Sequence, residues 1–170
     1  RFEASVLNAR IRKRFRAGPL PIGVIGEMGD LRYDYEALGA GPETLKDLAD
    51  GNGKFFDKLK KAEKPLVIVG QGAIARADGA AVLGLAAKLS QAVGAVKDGW
   101  NGFAVLHHAA ARVGGLDIGF VPGEGGKDVA GMTAGSDVLF LLGADELDMS
   151  KVSAGCVVYI GTHGDAGAHR

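Results

Sequence analysis

The residues best placed to do chemistry in this 170-residue chain sit at glycines that end short apolar runs. Gly70-Gln71-Gly72 follows Leu66-Val67-Ile68-Val69, and Gly143-Ala144-Asp145-Glu146 follows Val138-Leu139-Phe140-Leu141-Leu142. Gly161-Thr162-His163-Gly164-Asp165 follows Val157-Val158-Tyr159-Ile160. A glycine turn between a strand and a helix lets backbone N–H groups come close to a phosphate. A carboxylate pair such as Asp145 and Glu146 can accept from a ribose hydroxyl or a guanine edge. Each pattern also has a plainer reading. Gly70-Gln71-Gly72 lacks the third glycine of a dinucleotide fingerprint, since position 75 is alanine, and a tight turn without a ligand is favoured over a phosphate site. Asp145 and Glu146 can equally cap the turn at residues 147–152, which is the favoured role.

Three further groups are candidates. His163, Asp165 and His169 can be drawn together as metal ligands, but Gly164, Ala166, Gly167 and Ala168 between them offer no helix to fix a ligand geometry. No metal site is expected. His107 and His108 fall on a predicted helix over residues 103–113, where neighbours point about 100° apart and cannot chelate one ion as a pair. His107 shares a face with Phe103, Leu106 and Ala110, so a hydrogen-bonded core histidine is expected. The single cysteine, Cys156, lies in an apolar strand and reads as a packing thiol. One cysteine excludes a disulfide framework, a cysteine-rich zinc site or a cysteine-ligated cluster within these residues. No Ser–His–acid or Cys–His arrangement stands out, and no catalytic residue is assigned.

The elements that would position these groups are legible in outline. Near-continuous aliphatic runs read as strands buried on both faces, hence a mostly parallel sheet flanked by helices. In such α/β layers ligands bind beyond the strand carboxyl ends. A first short strand is expected at residues 22–26. Helices are expected between Pro42 and Gly51, at residues 54–62, and from Asp78 as N-cap to Gly94. Residues 95–97 read as a brief strand, residues 114–126 as a long loop, and residues 129–134 as a short helical turn. Twenty cations balance twenty acids, so no global field favours nucleic acid or an anionic membrane. Glycine is abundant, at 28, with only five prolines, which suits tight turns in a folded domain. No apolar stretch approaches the ~18 residues that span a bilayer, and no signal-peptide pattern opens the chain.

Residues 1–21 carry Arg10, Arg12, Lys13, Arg14 and Arg16 around Ile11 and Phe15. They read as a connector, or as a surface meeting another part of the same protein, in preference to a nucleic-acid arm. The α/β domain then occupies residues 22–170. The last strand has no helix after it, so an excised piece of a longer polypeptide with a partly exposed final strand is expected.

Several segments together carry a resemblance. They are Asn8-Ala9-Arg10-Ile11-Arg12-Lys13, Asp30-Leu31-Arg32-Tyr33-Asp34-Tyr35, Trp100-Asn101-Gly102-Phe103-Ala104-Val105-Leu106-His107, and Arg112-Val113-Gly114-Gly115-Leu116-Asp117-Ile118-Gly119-Phe120. With the two later glycine turns, the whole chain resembles the G-type or 75-kDa-type iron–sulfur subunit family of NADH:quinone oxidoreductase, respiratory complex I. The resemblance implies the C-terminal, molybdopterin-oxidoreductase-like region of that subunit. It implies iron–sulfur clusters in an N-terminal part outside these residues, and no cofactor within them. Other peripheral-arm subunits are the implied partners, on the cytoplasmic side of a bacterial inner membrane and not spanning it. In molybdopterin enzymes the loops matching Gly70, Gln71 and Gly72, then Gly143, Asp145 and Glu146, then Gly161, His163 and Asp165 would cradle the cofactor; here they are implied as vestigial contacts. The expected function is structural and assembly-related, with no activity of its own. The alternative is a working pterin- or adenine-dinucleotide-binding domain of an oxidoreductase.

Overall fold

A computed structural model describes residues 4–27, 29–144 and 147–162. They divide into two compact units, Arg1–Ala110 and Ala111–Arg170. Both contain helices and parallel strand pairs, as an α/β fold requires. Among the described residues the strands pair in four two-stranded ladders, three of them parallel.

The first unit runs α1 (Ser5–Arg16), β1 (Gly23–Ile25), β2 (Glu36–Gly39), α2 (Pro42–Ala49), α3 (Lys54–Lys61), β3 (Val67–Val69), α4 (Gln71–Ile74), α5 (Gly79–Ala92), β4 (Val96–Lys97), β5 (Trp100–Asn101) and β6 (Phe103–Val105). The expected stop signals work as glycine caps. Gly51 adopts φ 89°, and the bonds from Gly51 N–H to the Leu48 carbonyl and from Asn52 N–H to the Asp47 carbonyl close α2. Gly94, at φ 70°, closes α5 through the same pair of bonds, Gly94 to Gln91 and Ala95 to Ser90. Asp78 does stand at the N-cap position of α5, yet its carboxylate caps nothing. It instead accepts from Arg76 Nε at 2.7 Å and Nη2 at 2.9 Å, because a charged guanidinium fork is a stronger donor than a neutral N–H.

α1 lies within the residues read as a connector. No residue of it is fully buried, but Leu7, Ile11 and Phe15 are half-buried along one face. Phe15 packs against Tyr33 with ring centroids 5.8 Å apart. The core of this unit gathers Leu48, Ala49, Phe55, Phe56, Leu89, Val93 and Ala95, with Ile25, Leu38, Leu45, Leu59, Val67 and Leu85 packed on it. α3 shows how sequence sets this packing: Phe55 and Phe56 turn inward, while Lys58 Nζ stands over the Phe55 ring and Lys60 Nζ over the Phe56 ring, 5.7 and 5.8 Å from the centroids.

Residues 103–113 do not form the expected helix. Phe103, Ala104 and Val105 pair in parallel with Val67, Ile68 and Val69 as β6, and the helix begins only at Ala110. The apolar period of 103–110 fits a helix face, but the neighbouring strand offers β-prone Phe and Val a ladder that overrides it.

The second unit holds α6 (Ala110–Asp117, beginning at the boundary), α7 (Val129–Thr133), β7 (Ser136–Leu142), a 3₁₀ turn (Met149–Lys151) and β8 (Ala154–Ile160). Gly114 and Gly115, expected in a loop, lie inside α6. The helix instead ends at Gly119, φ 73°, with Gly119 N–H bonded to Leu116 and Phe120 N–H to the Gly115 carbonyl. β7 and β8 are parallel, from Ser136 opposite Ala154 to Leu142 opposite Ile160. One face packs Leu139, Leu141 and Val152 with Leu147, Met149, Val157 and Tyr159. On the other face Val138, Phe140, Leu142 and Ile160 are exposed. Cys156 pairs with Val138 on that open face and is itself exposed, so it is not the packing thiol expected from the strand pattern. The ladder covers one side only.

Asp50, at the C-terminal end of α2, meets Lys88 Nζ at 2.5 Å and Lys46 Nζ at 3.2 Å. The Lys88 hydrogen bond, then that of Lys46, holds its carboxyl below the usual value of 3.8. A depressed carboxyl contributes stability that is present above its unfolded pKa and lost as pH falls through the folded one. Lys88→Ala should therefore move the Asp50 midpoint up toward its ordinary value in a carboxyl-carbon NMR titration. An unmoved midpoint would show that Lys88 does not hold it.

Candidate functional site

β3 and β6 run side by side in the same direction, so their carboxyl ends open on one edge. That edge brings Gly70-Gln71-Gly72 beside Leu106, the residue before His107, a neighbourhood that a helix over 103–113 would not create. Leu106 N–H bonds back to the Val69 carbonyl at 2.9 Å. The Gln71 side-chain Nε2 donates to the Leu106 carbonyl at 2.5 Å, so Gln71 fastens one loop to the other. The turn continues into α4, a single four-residue helical turn with no side-chain cap.

Two features of this edge are unfilled. A Cβ built at Gly70 or Gly72 meets nothing within 4 Å, so neither glycine is required by close packing in the described structure. The His107 Nδ1 is buried and has no hydrogen-bond partner among the described residues. This differs from the expected satisfied core histidine: the residue sits after a strand rather than on a helix face, only half-buried. An orphaned buried nitrogen costs about 1–3 kcal/mol, while an apolar group of similar shape avoids that penalty. His107→Leu is accordingly expected to stabilise the domain by about 1 kcal/mol, read as a raised denaturant midpoint with an unchanged slope. A fall of that size would show that the nitrogen is satisfied.

In the second unit, the carboxyl ends of β7 and β8 bring Gly143 and Gly161 together. Gly143 N–H bonds to the Ile160 carbonyl at 2.8 Å, and Gly143 holds φ 58°. A Cβ at Gly161 would press into the Tyr159 ring. Asp145, Glu146, His163 and Asp165, and with them His169, lie outside the described residues. The turn after β7 is capped by Asp148, whose carboxylate accepts from Ser150 N–H at 3.2 Å and from the Ser150 hydroxyl at 2.6 Å. Those bonds, with Lys151, hold the Asp148 carboxyl below its usual range. The signal for Asp148 in the sequence is an Asp two residues before a serine, a spacing that favours a local turn bond.

Among the described residues no three His, Cys, Asp or Glu side chains group to hold a metal. No helix among them is long and apolar enough to cross a membrane. What the β3–β6 edge offers is open space at Gly70 and Gly72, while the His107 ring nitrogen, one residue past Leu106, is buried and not presented to solvent. The nearest cation in sequence, Arg76, is engaged by Asp78.

The relatives of the chain agree with the resemblance. The G subunit of the NADH-quinone oxidoreductase of Rickettsia bellii is 41% identical over 165 residues, 97% of this chain and 23% of that protein. The mitochondrial NADH dehydrogenase [ubiquinone] iron-sulfur protein 1 of Solanum tuberosum is 38% identical over 171 residues, 100% of this chain and 22% of that protein. The NADH-ubiquinone oxidoreductase 75 kDa subunit of Reclinomonas americana is 35% identical over 99% of the chain, which is 25% of its own length. The chain thus spans about a quarter of these curated relatives. A family model described as molybdopterin oxidoreductase matches residues 1–170. The chain belongs to the molybdopterin oxidoreductase family.

Proposed function

We propose that this domain is a structural and assembly module of the G-type subunit of NADH:quinone oxidoreductase, in the peripheral arm, and carries no catalytic group itself. The observation that carries the reading is the likeness to G-type and 75 kDa subunits over 97–99% of the chain. The β3–β6 edge supports it: the one side-chain amide in the glycine turn is committed to fastening Leu106. The iron–sulfur chemistry named in a relative belongs, on this reading, to the rest of the subunit. Gly70→Trp in the full-length subunit tests it, because a Cβ there meets nothing within 4 Å and the φ of −83° suits any residue, so the turn itself is not strained. A lowered amount of assembled complex with normal quinone reduction per complex supports the assembly role. Normal assembly with lost reduction refutes it.

A second reading, a working pterin- or adenine-dinucleotide site, is favoured by two open glycines and by an unpartnered His107 nitrogen one residue past Leu106, to which Gln71 is bonded. Saturable thermal stabilisation of the full-length subunit by a dinucleotide, abolished by His107→Leu, would establish it. Melting curves unchanged at millimolar ligand would dispose of it.

A further inference from the structure

Outside that edge the first unit has a second feature with a chemical signature. α1 packs on residues 30–33: the Tyr33 hydroxyl donates to the Asn8 side-chain carbonyl at 2.6 Å, and Phe15 lies against the Tyr33 ring. Between them is an open groove of about 610 Å³ whose walls include Ala9, Arg12, Lys13, Arg16, Leu31 and Arg32. The small Ala9 makes room in the wall, and Leu31, 5% exposed, is its buried apolar member. Arg32 is paired with Asp30 at 2.8 Å. The side chains of Arg12, Lys13 and Arg16 are exposed and have no hydrogen bond or ion pair among the described residues. α1 itself bears five cations and no acid, against a net charge of zero for the chain. Three like charges within one helical turn repel one another, so an occupant carrying carboxylates relieves a cost already present.

We infer that this groove seats an acidic segment of a neighbouring polypeptide, with carboxylates on Arg12, Lys13 and Arg16 and an apolar side chain toward Leu31. The inference rests on the assembly role proposed above, which supplies the neighbour. Guanidinium groups four residues apart on one helix face present two forks to carboxylates. A nucleic-acid backbone fits less well, since Asp30 already pairs with Arg32 of the groove wall and the chain has no wider positive field.

The test uses the full-length subunit in the isolated, assembled complex. A zero-length carbodiimide, which joins an amine to a carboxylate, should link Lys13 to an Asp or Glu of another subunit. Arg12→Glu, Lys13→Glu and Arg16→Glu combined should cut the amount of the subunit found in the complex by roughly tenfold, as reversal of complementary charge does. Arg10→Glu serves as the control on the same helix outside the groove and should assemble normally. The gentler combination of Arg12→Gln, Lys13→Gln and Arg16→Gln leaves the Phe15–Tyr33 packing untouched and should dissociate at lower salt than wild type. Lys13 unlinked and freely acylated in the complex, with the charge-reversed variant assembling as wild type, overturns the inference alone. A link only to a carboxylate of its own subunit, or release of the subunit by nuclease, overturns it as well. A wild-type subunit that enters no complex counts against both this inference and the assembly role.

Discussion

Gly102→Ala is expected to destabilise the first unit by about 3 kcal/mol, near the upper end of what overpacking causes. Gly102 sits where β5 turns into β6. Its N–H bonds to the Ala95 carbonyl at 2.6 Å, and its carbonyl accepts from Val67 N–H at 2.7 Å. A Cβ there would fall inside van der Waals distance of the Pro65 carbonyl oxygen and 2.6 Å from Trp100 Nε1. Trp100 Nε1 donates to that same Pro65 oxygen at 2.9 Å, so one methyl group forces apart a backbone contact and the indole bond together. Backbone cannot rotate aside as a side chain can. Equilibrium denaturation should show a lower midpoint, with loss of the tryptophan's native fluorescence in the same transition. A midpoint within about 0.5 kcal/mol of wild type, the range of an ordinary surface change, would mean that this junction is looser than described.

Leu89→Ala should be comparably severe, at about 3 kcal/mol, from lost transfer energy plus an unrelaxed cavity. Leu89 is 3% exposed on α5, in a core that draws on α2, α3 and α5. α5 packs closely on α2, and its other inward positions, Val82 and Ala86, are already small or fully used. Neighbouring Ser90 is 1% exposed with its hydroxyl donating to the Ala86 carbonyl at 2.8 Å, so that turn has little freedom to collapse. Chemical denaturation again measures the effect. A loss under about 1 kcal/mol would place Leu89 at a site able to close around the gap.

The parts legible in the sequence are those with local physical causes. Pro42, Gly51 and Gly94 mark helix ends because a fixed φ and a left-handed φ are properties of single residues. Phe55, Phe56 and Leu59, or Val82, Ala86 and Leu89, declare an inward face by spacing alone. What escapes depends on partners distant in the chain. Phe103–Val105 is a strand because Val67–Val69 lies beside it, and nothing within residues 103–113 records that neighbour. β2 is unreadable for the same reason: Glu36 to Gly39 is short and mostly exposed, and is defined by its pairing with β1. The site inherits these errors. Gly70-Gln71-Gly72 is visible as a turn, but its companion His107 falls on a predicted helix face that does not form, and its unpaired nitrogen has no signature in the sequence. Asp78 shows a subtler limit, since its position is right and its carboxylate is claimed by Arg76.

The measurement that bears most directly on a supporting rather than chemical role is quinone reduction by NADH, per assembled complex, in the His107→Leu full-length subunit. His107 Nδ1 is the buried side-chain polar atom without a partner among the described residues, and so the group next to this edge with unused hydrogen-bonding capacity. Turnover per complex equal to wild type is the predicted result. A fully assembled complex whose turnover falls tenfold or more, about 1.4 kcal/mol in barrier, would contradict it.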